Sequence, residues 1–222
     1  QHYGTSSVSP VAAPVAAAPV SEAVAASEDT ALTLTAPGWL TVRTADGLPA
    51  ELRLGFADGD SAAADSRLVP GRPSGLAAEG WLGAGELRMP VEPGSYILTA
   101  HRGLLSEPHT ESLSIGSGED VEVTVVIEEA FDPGVPIADP HAHAAPSGDG
   151  QLPMSHRLLV HAANGVDVHF GTDHDQIADY RPLLAALSIE ESMTSIVADE
   201  VSPVLRGHLN VYPLSEVIGE PN

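Results

Sequence analysis

Apolar positions in this chain change their period twice. Over residues 1–30 they are small and aperiodic, and prolines at 10, 14 and 19 interrupt any helix that the alanines would form. With no large apolar face to bury, this stretch reads as a semi-extended, low-complexity tether. From 31 to 130 the period is two. Leu52, Leu54 and Phe56 alternate with Arg53 and Gly55, and Tyr96, Leu98 and Ala100 alternate in the same way. Residues 32–34, 40–42, 86–89, 112–115 and 121–127 supply further short strands. Ala45-Asp46-Gly47 and Pro93-Gly94 supply turns, and the Gly/Ala/Ser/Pro-rich interval 57–80 reads as a long loop. Six or seven strands at this spacing, without a helix-length pattern, predict an antiparallel β-sandwich.

After Phe131-Asp-Pro-Gly134 the pattern becomes an alternation of strand and helix. Residues 135–138 predict a strand. Residues 154–164 predict a helix, with Leu158, Leu159, Ala162 and Ala163 at helical spacing and Gly165 as its stop. A strand through Val166, Val168 and Phe170, a helix over 180–187 with Ile189 in its last turn, and strands over 193–197 and 209–212 follow. Such a series predicts a parallel sheet or barrel, whose chemistry gathers at the carboxyl ends of the strands. His143, His174, Glu200 and Tyr212 all fall at or just beyond such ends. The expected layout is therefore a tether (1–30), a sandwich (31–130) and a β/α portion (131–222).

Composition narrows the chemistry. The net charge is −22, with nine arginines and no lysine, which argues against binding nucleic acid through phosphate contacts and favours cations at the surface. There is no cysteine, so disulfides, thiolate nucleophiles and sulfur-held metals are excluded together. Any metal must be held by His, Asp and Glu, a donor set suited to zinc, manganese or iron. No run approaches the roughly 20 apolar residues that cross a bilayer, so no transmembrane segment is expected. The Ala/Pro tether slightly favours an exported, periplasmic or extracellular, protein over a cytoplasmic one.

The candidate chemistry lies in Asp139-Pro-His141-Ala-His143, Ser147-Gly148-Asp149-Gly150 and Thr172-Asp173-His174. Residues i and i+2 of a strand project to one side, so His141 and His143 should point together, with Asp139 beneath them. Asp149 sits in a Gly-flanked turn, where an ordinary turn aspartate and a metal ligand are equally good readings. His174 follows the second strand directly. Asp173 beside it is either a hydrogen-bonding partner of a ligand or a substrate-side acid. Glu200 is the candidate bridging carboxylate, since one carboxylate can hold two cations roughly 3.5–4 Å apart. By position alone His208 is a loop histidine. His156, His161 and His169 read as packing or surface residues, and His101 and His109 as solvated ones.

The order D-x-H-x-H, S-x-D-G, amphipathic segment, short strand and T-D-H resembles the PHP superfamily (polymerase and histidinol phosphatase domains). Ala198-Asp199-Glu200-Val201-Ser202 and Gly207-His208-Leu-Asn-Val-Tyr-Pro213 resemble that family's next two blocks. The wording around Asp175, Asp179-Tyr180 and Pro182-Leu183 is most similar to its CehA/McbA-like metallohydrolase branch. The resemblance covers about the last 90 residues, and Ala198 departs from the family's usual G-x-E. It implies a distorted β/α barrel, of which this chain would be the incomplete first part, and a fragment of a longer enzyme. It also implies two or three divalent ions held by His141, His143, Asp149, His174, Glu200 and His208, with Asp139 and Asp173 supporting them. The expected activity is hydrolysis of a phosphoester or of a carboxyl-ester, carbamate or amide through a bridging hydroxide, with Glu200 and Asp173 as the catalytic carboxylates. Arg157, Arg181 and Arg206 are the candidate clamps for a small-molecule phosphoester. The preceding strands more loosely resemble carboxypeptidase-regulatory-like or transthyretin-like sandwiches. The competing reading is a non-catalytic surface or binding protein, in which the sandwich binds a partner and the metal-site region is a relic.

Overall fold

A computed structural model describes residues 35–57, 76–204 and 206–215. The tether, the strand expected at 32–34 and most of the loop expected at 57–80 lie outside the described residues. Within them the protein is rich in β-structure, arranged in several sheets.

The period-two stretch forms β1 (Gly38–Thr44), β2 (Ala50–Phe56), β3 (Leu76–Leu82), β4 (Glu86–Val91), β5 (Gly94–His101), β6 (Ser106–Glu107), β7 (His109–Ile115), β8 (Asp120–Val125) and β9 (Glu128–Glu129). One sheet runs β4-β1-β8 and another β3-β2-β5-β7, while β6 and β9 pair separately. Alternation aims one face of each strand inward. Leu40 and Val42 of β1, Leu52 and Leu54 of β2, Leu98 of β5 and Val123 and Val125 of β8 share a single buried apolar cluster. Outward-facing positions carry ion pairs, such as Arg43 with Glu86 and Glu122, and Arg88 with Asp120.

Two expectations need correction. Residues 76–80 belong to β3, inside the interval read as loop; Ala77, Ala78 and Gly80 gave too weak an alternation to show it. The pairing is also not wholly antiparallel, because β1 lies parallel to β8. All the intervening strands separate these two in sequence, so the long return that parallel pairing needs is available. The register sets Leu40 against Val121 and Val42 against Val123, which keeps both apolar faces in phase.

Beyond residue 131 the elements are β10 (Ala138–Ala142), α1 (Met154–Ala163), β11 (Val168–Gly171), α2 (Arg181–Ala186), β12 (Thr194–Val197), β13 (Asp199–Val201) and β14 (Leu209–Val211). Strand β10 begins where the expected strand over 135–138 ends. Pro136 has no N–H to give a ladder, the Ile137 N–H goes to the Asp167 carboxylate at 2.7 Å, and Val135 is exposed. Strands β10, β11 and β12 make a parallel sheet in that order. The last expected strand does not join it. β14 pairs antiparallel with β13, because a connection over 202–208 is too short for a parallel crossover of a dozen or more residues.

A second apolar cluster forms here from Ala144, Leu158 and Ala162, with Tyr180, Leu184, Ile189 and Met193. The described residues from Thr35 onward form one compact unit. Helix α1 packs on β2 and β3: the Asn164 amide donates to Glu51 Oε2 at 3.0 Å, and His156 meets Trp81 edge-on at 4.7 Å between ring centres.

Candidate metal centre

Parallel pairing brings the carboxyl ends of β10, β11 and β12 to one edge, and the site is built there. The Thr172 N–H and the Ala142 carbonyl bond at 2.9 Å, and Thr172 Oγ1 accepts the Ala142 N–H at 3.0 Å. This lock holds the chain leaving β11 beside the chain leaving β10. Gly171 is required at that point, since a Cβ there would enter the Tyr180 ring. A short parallel bridge then joins His174 to Glu200 on β13, and the β13–β14 hairpin returns His208 to the same carboxylate.

All six expected ligands come together. His141 Nε2, His143 Nε2 and Glu200 Oε2 form a triangle with sides of 3.0, 2.8 and 3.1 Å. Ligands at about 2.0–2.1 Å from a tetrahedral ion stand roughly 3.3 Å apart, so this triangle closely fits one face of such a site. His143 Nδ1 lies 3.1 Å from Asp149 Oδ1, and His174 Nε2 lies 3.4 Å from Asp149 Oδ2. On the far side of Glu200, Oε1 is 2.9 Å from His208 Nδ1. Three overlapping groups have ligand-atom spacing suited to a metal ion: His141 with His143 and Glu200, His143 with Asp149 and His174, and His174 with Glu200 and His208.

A neutral imidazole has one hydrogen and one free lone pair, so His143 cannot serve two ions. Its Nδ1 faces Asp149, and the Ser147 hydroxyl hydrogen is committed to that carboxylate at 2.6 Å. Nδ1 therefore carries the hydrogen, and Nε2 is left to the triangle. That gives the His141–His143–Glu200 group three protein ligands, the number that catalytic zinc sites use with one position open.

The carboxylates are in the form that cations require. Burial pushes Glu200 up, but the His141 and His208 imidazoles outweigh it and hold the carboxyl below its usual range. Asp149 is held well below its usual range by the Ser147 hydroxyl first and by His143 second. Glu200 is 4% exposed, whereas the side chains of His141 and His208 are half-exposed. The centre is thus anchored on a buried carboxylate and opens to solvent on its imidazole side.

Gly150 lets the Asp149 turn close, because a Cβ there would run into the Ala144 carbonyl. Gly148 faces open space. Gly150→Ala should therefore lower stability by about 1–3 kcal/mol through overpacking and weaken zinc binding by about tenfold, while Gly148→Ala should change neither. Urea unfolding and zinc titration of the two variants check this.

Asp173 does not reach the cluster. It is fully buried, its Oδ1 accepts the Ala144 N–H at 2.7 Å, and its Oδ2 accepts the Tyr180 hydroxyl at 2.6 Å. Burial first and this bond second keep the Tyr180 phenol protonated and donating. The carboxylate is a clamp on the strand ends, and the expectation of a substrate-side acid is corrected accordingly. Asp139 accepts the His141 N–H at 3.1 Å and turns its other oxygen toward His161 Nε2 on α1, 3.5 Å away. The irregular pairing between Asp139 and Ala142 breaks the simple alternation that was to place Asp139 among the imidazoles. Of the candidate clamps, Arg181 is held by Asp179 through two bonds and Arg157 Nε is spent on the His143 carbonyl, while Arg206 is exposed.

His161 and His169 are buried packing histidines, and their rings stand 5.1 Å apart. Burial lowers both, His169 to about 3. The unfolded state therefore holds the proton that folded His169 refuses, and stability falls as pH drops from about 6.5 toward about 3. Between pH 6.5 and pH 5, His169 alone should cost about 2 kcal/mol. In His169→Asn that share of the slope, measured by urea unfolding at several pH values, should vanish. His101 and His109, expected to be solvated, are part-buried beside Glu51 and Glu111.

Compared with protein-family models the chain matches no family, and a search of curated proteins finds no match to it.

Proposed function

We propose that this protein is a metal-dependent hydrolase of an ester-like bond, built on a PHP-type centre at the carboxyl edge of the β10-β11-β12 sheet. The reading takes residues 131–222 as β/α structure of the PHP type and residues 31–130 as an accessory sandwich. The observation that carries it is the triangle of His141 Nε2, His143 Nε2 and Glu200 Oε2, with every side near 3 Å. Two imidazole nitrogens and one carboxylate oxygen at that spacing suit a zinc, manganese or iron ion. Bound there, such an ion would polarise the substrate oxygen and lower the pKa of a water into the neutral range.

The chain's own residues supply the rest. Glu200 contributes negative charge to two neighbouring positions, through Oε2 toward His141 and His143 and through Oε1 toward His208. Asp149 orients His143 through Nδ1, as carboxylates commonly do for metal-binding imidazoles. Asp139 fixes the His141 backbone, and the Asp173–Tyr180 clamp fixes the strand ends. The half-exposed His141 and His208 border the face through which a small-molecule substrate would enter.

Zinc, manganese and iron content, followed by assay against phosphoester, carboxyl-ester, carbamate and amide substrates, tests the proposal. Metal-dependent turnover of at least one class is the expected result. Absence of both metal and turnover would favour the binding-protein reading.

A further inference from the structure

His174 sits where two of the three ligand groups overlap, and one side chain decides between them. Its Nδ1 is 2.6 Å from the Ser202 hydroxyl and 3.2 Å from Glu200 Oε2, and its Nε2 is 3.4 Å from Asp149 Oδ2. The Ser202 hydroxyl donates to the Glu200 carbonyl at 2.9 Å, and the Ser202 N–H is tied to Asp175 Oδ1 at 3.0 Å. A serine hydroxyl has a single hydrogen. With that hydrogen spent on the carbonyl, Oγ meets the imidazole as an acceptor. The second neighbour of Nδ1 is a carboxylate oxygen, which only accepts. A lone pair on Nδ1 would face two acceptors, whereas a hydrogen there is attracted by both. The 3.4 Å at Nε2 is long for a charge-assisted N–H···O bond of about 2.7–2.9 Å. It is close to the span of two ligands on one tetrahedral ion.

We propose that Ser202 is a positioning residue that holds His174 as its Nδ1–H tautomer and so commits the ring, through Nε2, to a cation shared with Asp149. This rests on the metal-centre reading given above and adds a division of labour to it. With His174 turned to Asp149, the position between Glu200 and His208 receives no nitrogen from His174. The six ligands then sort into one three-ligand position and two positions with two protein ligands each, with Glu200 spanning two of the three. The same backbone turn serves this end. Asp175 is held at φ 49°, its N–H donates to the Glu200 carbonyl at 3.0 Å, and its carboxylate fixes Ser202. A residue in the left-handed region at this place is the kind of local strain that accompanies a positioned site.

The test uses the metal-free chain first. Nitrogen-15 spectra of the histidine rings at about pH 8.5, two units above the ordinary imidazole pKa, should show His174 protonated at Nδ1 and bare at Nε2. Ser202→Ala should shift His174 toward a mixture of tautomers, and Ser202→Thr, which keeps the hydroxyl, should restore the wild-type pattern. In a zinc titration, Ser202→Ala should weaken one binding step by about tenfold to a hundredfold, the usual effect of removing a ligand's hydrogen-bond partner, and Ser202→Thr should recover it. A wild-type ring carrying its hydrogen on Nε2 would overturn the proposal, as would an unchanged tautomer and unchanged zinc steps in Ser202→Ala. Failure of the wild-type chain to bind zinc, with the Ser202-dependent tautomer intact, would overturn the metal reading while leaving the hold of Ser202 on His174 standing.

Discussion

Glu200→Gln should lose more than a hundredfold in zinc affinity and, with it, nearly all metal-dependent turnover. Removing an orienting partner of a metal ligand costs about 10–100-fold, and Glu200 is placed as a direct ligand. Its Oε2 lies within 3.2 Å of ring nitrogens on His141, His143 and His174, and its Oε1 lies 2.9 Å from His208. Cations brought close together here would repel, and Glu200 is the carboxylate that faces both the His141–His143 position and the His208 position, where its charge lowers that cost. Glutamine keeps the shape and removes the charge. A folded Glu200→Gln protein that binds zinc normally would end the bridging role assigned to Glu200. The histidine on the facing helix is no neutral control for this experiment. His161 reads from its helix position as a packing or surface residue, but its Nε2 approaches Asp139, which in turn holds the His141 backbone.

Asp173 should separate a structural carboxylate from a catalytic one. Asp173→Leu leaves the Ala144 N–H and the Tyr180 hydroxyl buried without acceptors, at roughly 1–3 kcal/mol for each. A total loss of about 2–6 kcal/mol in urea unfolding is expected. Asp173→Asn keeps an oxygen for Ala144 and presents an amide to Tyr180, whose hydroxyl can turn and accept. Its stability should fall by no more than about 1 kcal/mol, with zinc binding and turnover close to wild type. Loss of turnover in a stable, zinc-binding Asp173→Asn would restore the role of a substrate-side acid.

Strand existence was legible because it depends on local pattern: alternation at Leu52, Leu54 and Phe56 needs only period two. Local pattern also marks His141, His143 and His174, which follow apolar strands, whereas Asp149 is even between turn and ligand and His208 reads as a loop histidine, so the full set of six rests on the family resemblance. What was not legible depended on partners distant in sequence. The parallel β1–β8 pair depends on which strand edge β8 meets in the finished fold, and nothing inside 38–44 or 120–125 encodes that. β3 was hidden because Ala and Gly carry little hydrophobic signal, although Gly80 lies where the Leu87 side chain packs close. Asp173 was misread because its neighbour His174 suggested chemistry, while the decisive partners, Ala144 and Tyr180, come from other segments. Ser202 carried no signal of its own, and only the His174–Glu200 bridge puts its hydroxyl on an imidazole.

The measurement that bears most directly on the centre is an anomalous-difference map, at the zinc absorption edge, of crystals of this chain grown with zinc. The account predicts a peak about 2 Å from His141 Nε2, His143 Nε2 and Glu200 Oε2 together, the ordinary zinc bond length. A zinc-loaded crystal with no peak at that triangle, or with these three side chains turned away from one another, would contradict it.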